Sequence, residues 1–168
     1  PGFTTWLQGR AVGWMAAMEG PAPRRARLAL RRHADDLLAA AEAGRGDRAT
    51  MLGALGVLRE CDGPVQEGQR LVERALAAVD DGTPHEVHQH LLLRHEVGCR
   101  LAGKAPRARQ SARRAMENAR TEAERVDAEL HLARAERLLG EPERTRSLLE
   151  AQRGRTEAPD RRLRALWL

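Results

Sequence analysis

Histidine is the side chain in this sequence best suited to chemistry, and it is clustered. His85, His88, His90 and His95 fall close together, while His33 and His131 stand apart. On a helix, His85 and His88 are three apart and could grip one metal ion, and His88 and His95, seven apart, share a face. A metal site needs further ligands, and no cysteine or second histidine pair stands at a spacing that supplies them. Exposed or groove-lining histidines are therefore the preferred reading. Metal binding or acid–base use by the His85–His95 cluster is the alternative. Ser111, Ser147 and Cys99 are the candidate nucleophiles, and no motif surrounds them. The sequence contains no GxxxxGK[ST], GxGxxG, HExxH or GxSxG pattern. Ser111 and Ser147 lie among arginines and read as solvated helix positions. No catalytic residue, cofactor or metal is expected, and the chain does not read as an enzyme.

The next candidate chemistry is charge. The chain carries a net charge of +5, and its pI is near 10.7. Two basic runs could touch phosphates: Arg24, Arg25, Arg27, Arg31 and Arg32, then Lys104, Arg107, Arg109, Arg113 and Arg114. Lys104 is the only lysine, and the Arg- and Ala-rich composition looks like coding bias in a GC-rich genome. Single-strand binders interleave basic residues with stacking rings. Here the rings are only Phe3, Trp6, Trp14 and Trp167. Trp6 and Trp14 are eight apart and can share a helix face, as core or capping residues first and as a partner interface second. Nucleic acid thus ranks below a protein or peptide partner. Cys61 and Cys99 form no CxxC pair and read as reduced, small buried hydrophobes of a cytoplasmic protein. No apolar run reaches the ~18 residues of a membrane span, so no membrane partner is expected. No signal peptide opens the chain, and Pro1 without a preceding Met suggests an excised or processed piece.

Helices must position these residues. Ala, Leu, Arg and Glu dominate, which is helix-forming composition. Four turns carry Gly followed by Pro: Gly20-Pro21, Gly63-Pro64, Gly103 before Pro106, and Gly140 before Pro142. Gly in the left-handed conformation ends a helix and Pro begins the next. The glycines are 43, 40 and 37 residues apart, the quasi-period of a helical-hairpin repeat. Secondary breaks at 44–47, 80–84, 119–121 and 154–159 halve each unit. Asp47 is a predicted cap, and Thr83 with Glu86 and Thr121 with Glu124 are predicted capping boxes. The spacing predicts helices over 4–18, 22–42, 48–60, 64–79, 84–101, 105–119, 122–139 and 142–153. A short segment over 159–168 carries Leu163, Leu166 and Trp167. Apolar stripes run through Val65, Gly68, Leu71, Val72, Ala75, Leu76 and Val79, and through Val126, Leu130, Ala133 and Leu138. Ala108, Ala112, Ala115 and Ala119 make a small-residue face that lets helix axes approach closely.

The segment from Ala128 through Gly140, Glu141 and Pro142 to Leu148 and Leu149 resembles the tetratricopeptide (TPR) repeat. It is most similar to repeats in the C-terminal regions of actinobacterial LuxR-type and antibiotic-pathway transcriptional regulators. Leu58–Ala75 and Leu101–Ala115 match more loosely, and Trp14–Leu30 matches in its turn. The resemblance implies an all-α domain over 1–168, a right-handed superhelical stack of about four antiparallel helix pairs (4–42, 48–79, 84–119, 122–153). It implies a binding scaffold, the interaction or sensor region of a cytoplasmic regulator. Its partner would be a protein, a peptide or a small effector, and open repeat ends would permit a homo-oligomer. In such a stack the first helix of each pair lines a groove. That would present Arg59, then His88, Arg94 and His95, then Glu129, Arg134 and Arg137. Arginines there could hold carboxylates in forked geometry.

Overall fold

The structure, a computed structural model, describes residues 2–18 and 23–153, and the side chain of Arg153 is not described. The turn at Gly20-Pro21, the break at 154–159 and the segment 159–168 lie outside the described residues. Among the described residues all regular structure is helical: α1 (Phe3–Met18), α2 (Pro23–Arg32), α3 (Ala34–Glu42), α4 (Arg48–Asp62), α5 (Val65–Ala77), α6 (His85–Leu101), α7 (Ala105–Asn118), α8 (Glu122–Leu138) and α9 (Pro142–Arg153). The chain divides into two units, residues 1–95 and 96–168, and the division falls inside α6.

In the first unit α4 is the central element. Every residue from Ala49 to Leu58 is buried, Thr50 included. A helix that is apolar all round must be covered on all sides. Its cover comes from Leu7, Ala11, Trp14 and Met15 of α1, Leu30 of α2, Leu37 and Ala41 of α3, Leu71, Val72 and Ala75 of α5, and Val87 and Leu91 of α6. Two glycines let the α4 and α5 backbones nearly touch. A Cβ on Gly68 would lie 2.8 Å from the Glu60 nitrogen and 2.9 Å from the Gly56 carbonyl oxygen. A Cβ on Gly56 would lie 2.8 Å from a Val72 methyl. Asp47 starts α4 as expected: its carboxylate accepts from the backbone N–H of Ala49 (3.0 Å) and Thr50 (3.2 Å). The Thr83 hydroxyl, predicted to cap the following helix, donates to this same Asp47 carboxylate at 3.1 Å.

The second unit is built on α7, α8, α9 and the end of α6. Thr121 and Glu124 form the predicted capping box at the start of α8. Ala108, Ala112 and Ala115 are fully buried, as their spacing predicts. Cys99, Ala108 and Ala135 pack together, and Leu130 and Ala133 pack with Leu149 of α9.

Five expectations are corrected. The helix predicted over 22–42 is two helices that part at His33, whose ring lies flat on Trp14 of α1. Gly63 is extended (φ −137°), not left-handed, because it directly precedes Pro64 and the proline ring disfavours helical backbone there. Gly103 and Gly140 have a spacer before their prolines and do adopt positive φ, 70° and 75°. Of the stripe predicted on α8, Leu130 and Ala133 are buried but Leu138 is 51% exposed, and Glu129 and Glu136 are buried alongside them. Cys61 is exposed, whereas Cys99 is buried. Ser111 is buried, its hydroxyl donating to the Arg107 carbonyl at 3.2 Å.

The α4–α5 contact makes opposite predictions for two glycines. Gly13→Ala in α1 meets nothing within 4 Å and should stabilise by about 0.5–1 kcal/mol. Gly68→Ala gains the same helix propensity but drives a methyl into backbone. Overpacking costs roughly 1–3 kcal/mol, so the net effect is destabilising. Denaturant unfolding of the two variants checks both signs.

Candidate functional site

The residues predicted to line a groove fall in both units. Arg59, His88, Arg94 and His95 belong to the first, and Glu129, Arg134 and Arg137 to the second. Arg94 Nη1 donates to Glu60 Oε2 at 3.4 Å. His95 Nε2 lies 3.7 Å from Glu73, and Arg59 Nε lies 3.6 Å from Glu67. These charges therefore tie α4, α5 and α6 to one another. His88 is half-buried on α6. Glu129 is buried and accepts from Gln152 Nε2 at 3.4 Å, Arg134 is half-buried, and Arg137 is exposed. Among the described residues no three His, Cys, Asp or Glu side chains are grouped to hold a metal.

The basic runs are also occupied in part. Arg27 and Arg31 of α2 both bind the Asp62 carboxylate at the end of α4, and Arg27 Nη2 reaches the Cys61 carbonyl at 3.3 Å. The hydrogen bond from Arg31 holds the Asp62 carboxyl below its ordinary range, against a desolvation effect that pushes it up, with Arg27 adding to the lowering. The hydrogen bond to Asp62 in turn raises the Arg31 guanidinium. In the second unit Arg109 and Arg113 of α7 each lie 3.7 Å from the buried Glu136 of α8.

Sequence reasoning missed a polar tie inside the second unit. Glu96 of α6 is completely buried, accepts from Arg100 Nε at 3.0 Å, and lies 2.5 Å from His131 Nδ1 of α8. Such a carboxylate–imidazole pair orients histidine in hydrolases. Here it closes α6 against α8, and the only sequence signal was His131 set between Leu130 and Leu132.

An exposed aromatic cluster lies at the start of the chain. Phe3 and Trp6 stack with ring centroids 5.6 Å apart, and Trp6 meets Trp14 edge-on at 6.3 Å. His33 lies flat on Trp14 at 5.4 Å and edge-on to Trp6 at 5.5 Å. Arg10 sits 5.6 Å over the Trp14 ring, and Asp36 lies 3.1 Å from His33 Nδ1. Trp14 is buried, whereas Phe3 is 58% and Trp6 44% exposed. Trp14 thus anchors the cluster in the core and Phe3 and Trp6 carry it to solvent. The sequence showed Trp6 and Trp14 on one face. Contact with His33 required the break between α2 and α3. Beside Phe3 opens a cleft of about 200 Å³ lined by Thr4, Leu7, Asp36, Ala39, Ala40 and Arg45.

Comparison with family models, with curated proteins and with solved structures gave no match.

Two measurements follow. The Asp62 contact has a lowered folded-state pKa, so its contribution is complete above the ordinary carboxylate range near ~4 and fades as pH falls through the lowered value. Asp62→Asn should therefore cost most stability at neutral pH, with the gap to wild type closing in acid. A gap that stays constant down to acid unfolding contradicts this. His131→Ala leaves a buried Glu96 oxygen without its donor and should cost about 1–3 kcal/mol in denaturant unfolding.

Proposed function

We propose that the chain is a helical-repeat binding scaffold, TPR-like in its stacking, that recognises a protein or peptide. The observation that carries this reading is the exposed Phe3–Trp6 stack beside a cleft. Large aromatic side chains held on a rigid base and left in solvent are the usual anchors of interfaces. Trp14 and the α4 core supply the base. The repeat resemblance adds the class of protein, the interaction or sensor region of a cytoplasmic transcriptional regulator, by analogy of fold. In this reading the chain does no bond chemistry. No helix among the described residues is long and apolar enough to cross a membrane.

Nucleic-acid binding is the second reading, supported by the net positive charge. Against it, Arg27, Arg31, Arg109 and Arg113 are engaged with Asp62 and Glu136. That leaves fewer cations in the two runs to meet phosphates.

Selection of a displayed random-peptide library on the whole chain tests the scaffold. The expected outcome is an enriched consensus containing an apolar anchor. Its affinity should drop by about 2 kcal/mol, roughly thirty-fold, for Trp6→Ala, the size of an interface hot spot. No enrichment, or enrichment indifferent to Trp6 and Phe3, counts against it. Binding of a labelled DNA duplex with a steep salt slope would favour the second reading.

A further inference from the structure

Resting on that scaffold reading, we infer that the cleft beside Phe3 holds the carboxyl end of a peptide whose last side chain is aliphatic. The cleft is open to solvent and has a volume of about 200 Å³. Pockets that take a whole drug-sized ligand span roughly 300–1,000 Å³. This one is sized for a single anchoring side chain of something larger. Of its lining, Leu7 and Ala40 are buried and Phe3 and Ala39 add exposed apolar surface, so the anchor is apolar.

Charge decides what flanks that anchor. Arg45 and Asp36 are the charged groups of the cleft. Asp36 already faces His33 Nδ1 at 3.1 Å, so one side of its carboxylate is met, and the other can accept a peptide N–H. Arg45 is exposed and, among the described residues, has no ion-pair partner. Its backbone is pinned between two left-handed glycines, Gly44 (φ 61°) and Gly46 (φ 76°), and its own N–H donates to the Ala40 carbonyl at 3.0 Å. One residue past Gly46, the Asp47 N–H donates to Gln8 Oε1 of α1 at 3.1 Å. The guanidinium is thus launched from a fixed backbone point into the lining of a cleft of mixed polarity. A forked guanidinium matches a carboxylate in two hydrogen bonds. An aliphatic side chain with a carboxylate on its own Cα matches the apolar lining and Arg45 together, and this is what a peptide C-terminus offers.

The test uses the whole chain and an array of random hexapeptides made twice, once with free C-termini and once amidated. The expected result is a set of binders in the free-acid array ending in Leu, Ile, Val or Met. Each should bind about tenfold more weakly as its amide. Arg45→Gln should bind acid and amide alike, and Phe3→Ala should bind neither. Circular dichroism confirms that these surface variants keep their helices. Equal binding of acid and amide by the wild type, or an acid preference that survives Arg45→Gln, overturns the inference. If binders in both arrays depend on Trp6, the scaffold stands and the carboxylate assignment falls. If neither array yields a binder, both fall.

Discussion

The near-contact of the α4 and α5 backbones at Gly56 and Gly68 governs the first unit. A helix can be surrounded only if its neighbours come close enough to leave no void. With no Cβ at these positions, the Gly56 carbonyl and the Glu60 nitrogen can lie against α5. Gly53 does the same toward α6, where a Cβ would sit 2.8 Å from a Leu91 methyl. The apolar residues of α4 are then covered on every side, and α1 and α3 rest on it. Those two helices carry the aromatic stack and the cleft, so both features rest on α4.

Charge is arranged on a second rule. Asp62, Glu96 and Glu136 are each approached by two basic groups: Arg27 and Arg31, Arg100 and His131, Arg109 and Arg113. In each case the acid is the more deeply buried partner. A long guanidinium can hold an inner carboxylate while its own stem stays near water. A buried carboxylate without such donors would be strongly destabilising. Five arginines, Arg27, Arg31, Arg100, Arg109 and Arg113, therefore serve these acids, four of them from the two basic runs, which weakens an inference from pI to nucleic acid.

Much of the fold was legible because Gly, Pro and capping residues act locally. The Asp47 cap, the Thr121–Glu124 box and the left-handed Gly103 and Gly140 depend on their own neighbours and appear where the spacing puts them. The departures come from distant contacts. Nothing local in the run 22–42 announces a break at His33, since the break is tied to a ring on α1. Leu138 reads as core by period, yet α8 turns Glu129 and Glu136 inward because α7 and α9 supply Arg109, Arg113 and Gln152 to meet them. The candidate site divides the same way. Trp6 and Trp14 on one helix face were visible. The cleft was not, because Phe3, Asp36 and Arg45 come from α1, α3 and the loop after it. The charges singled out on α4 and α6, Arg59, Arg94 and His95, were visible as types, but their engagement with Glu67, Glu60 and Glu73 was not.

Native-state hydrogen exchange resolved by segment tests the central claim that α4 is the spine on which α1 and α3 rest. The account predicts that amides from Ala49 to Leu58 exchange last in the first unit, through global unfolding alone. It predicts that α1 and α3 lose protection together with α4 when Gly68 is enlarged. Exchange of α4 as fast as that of α1 would contradict it.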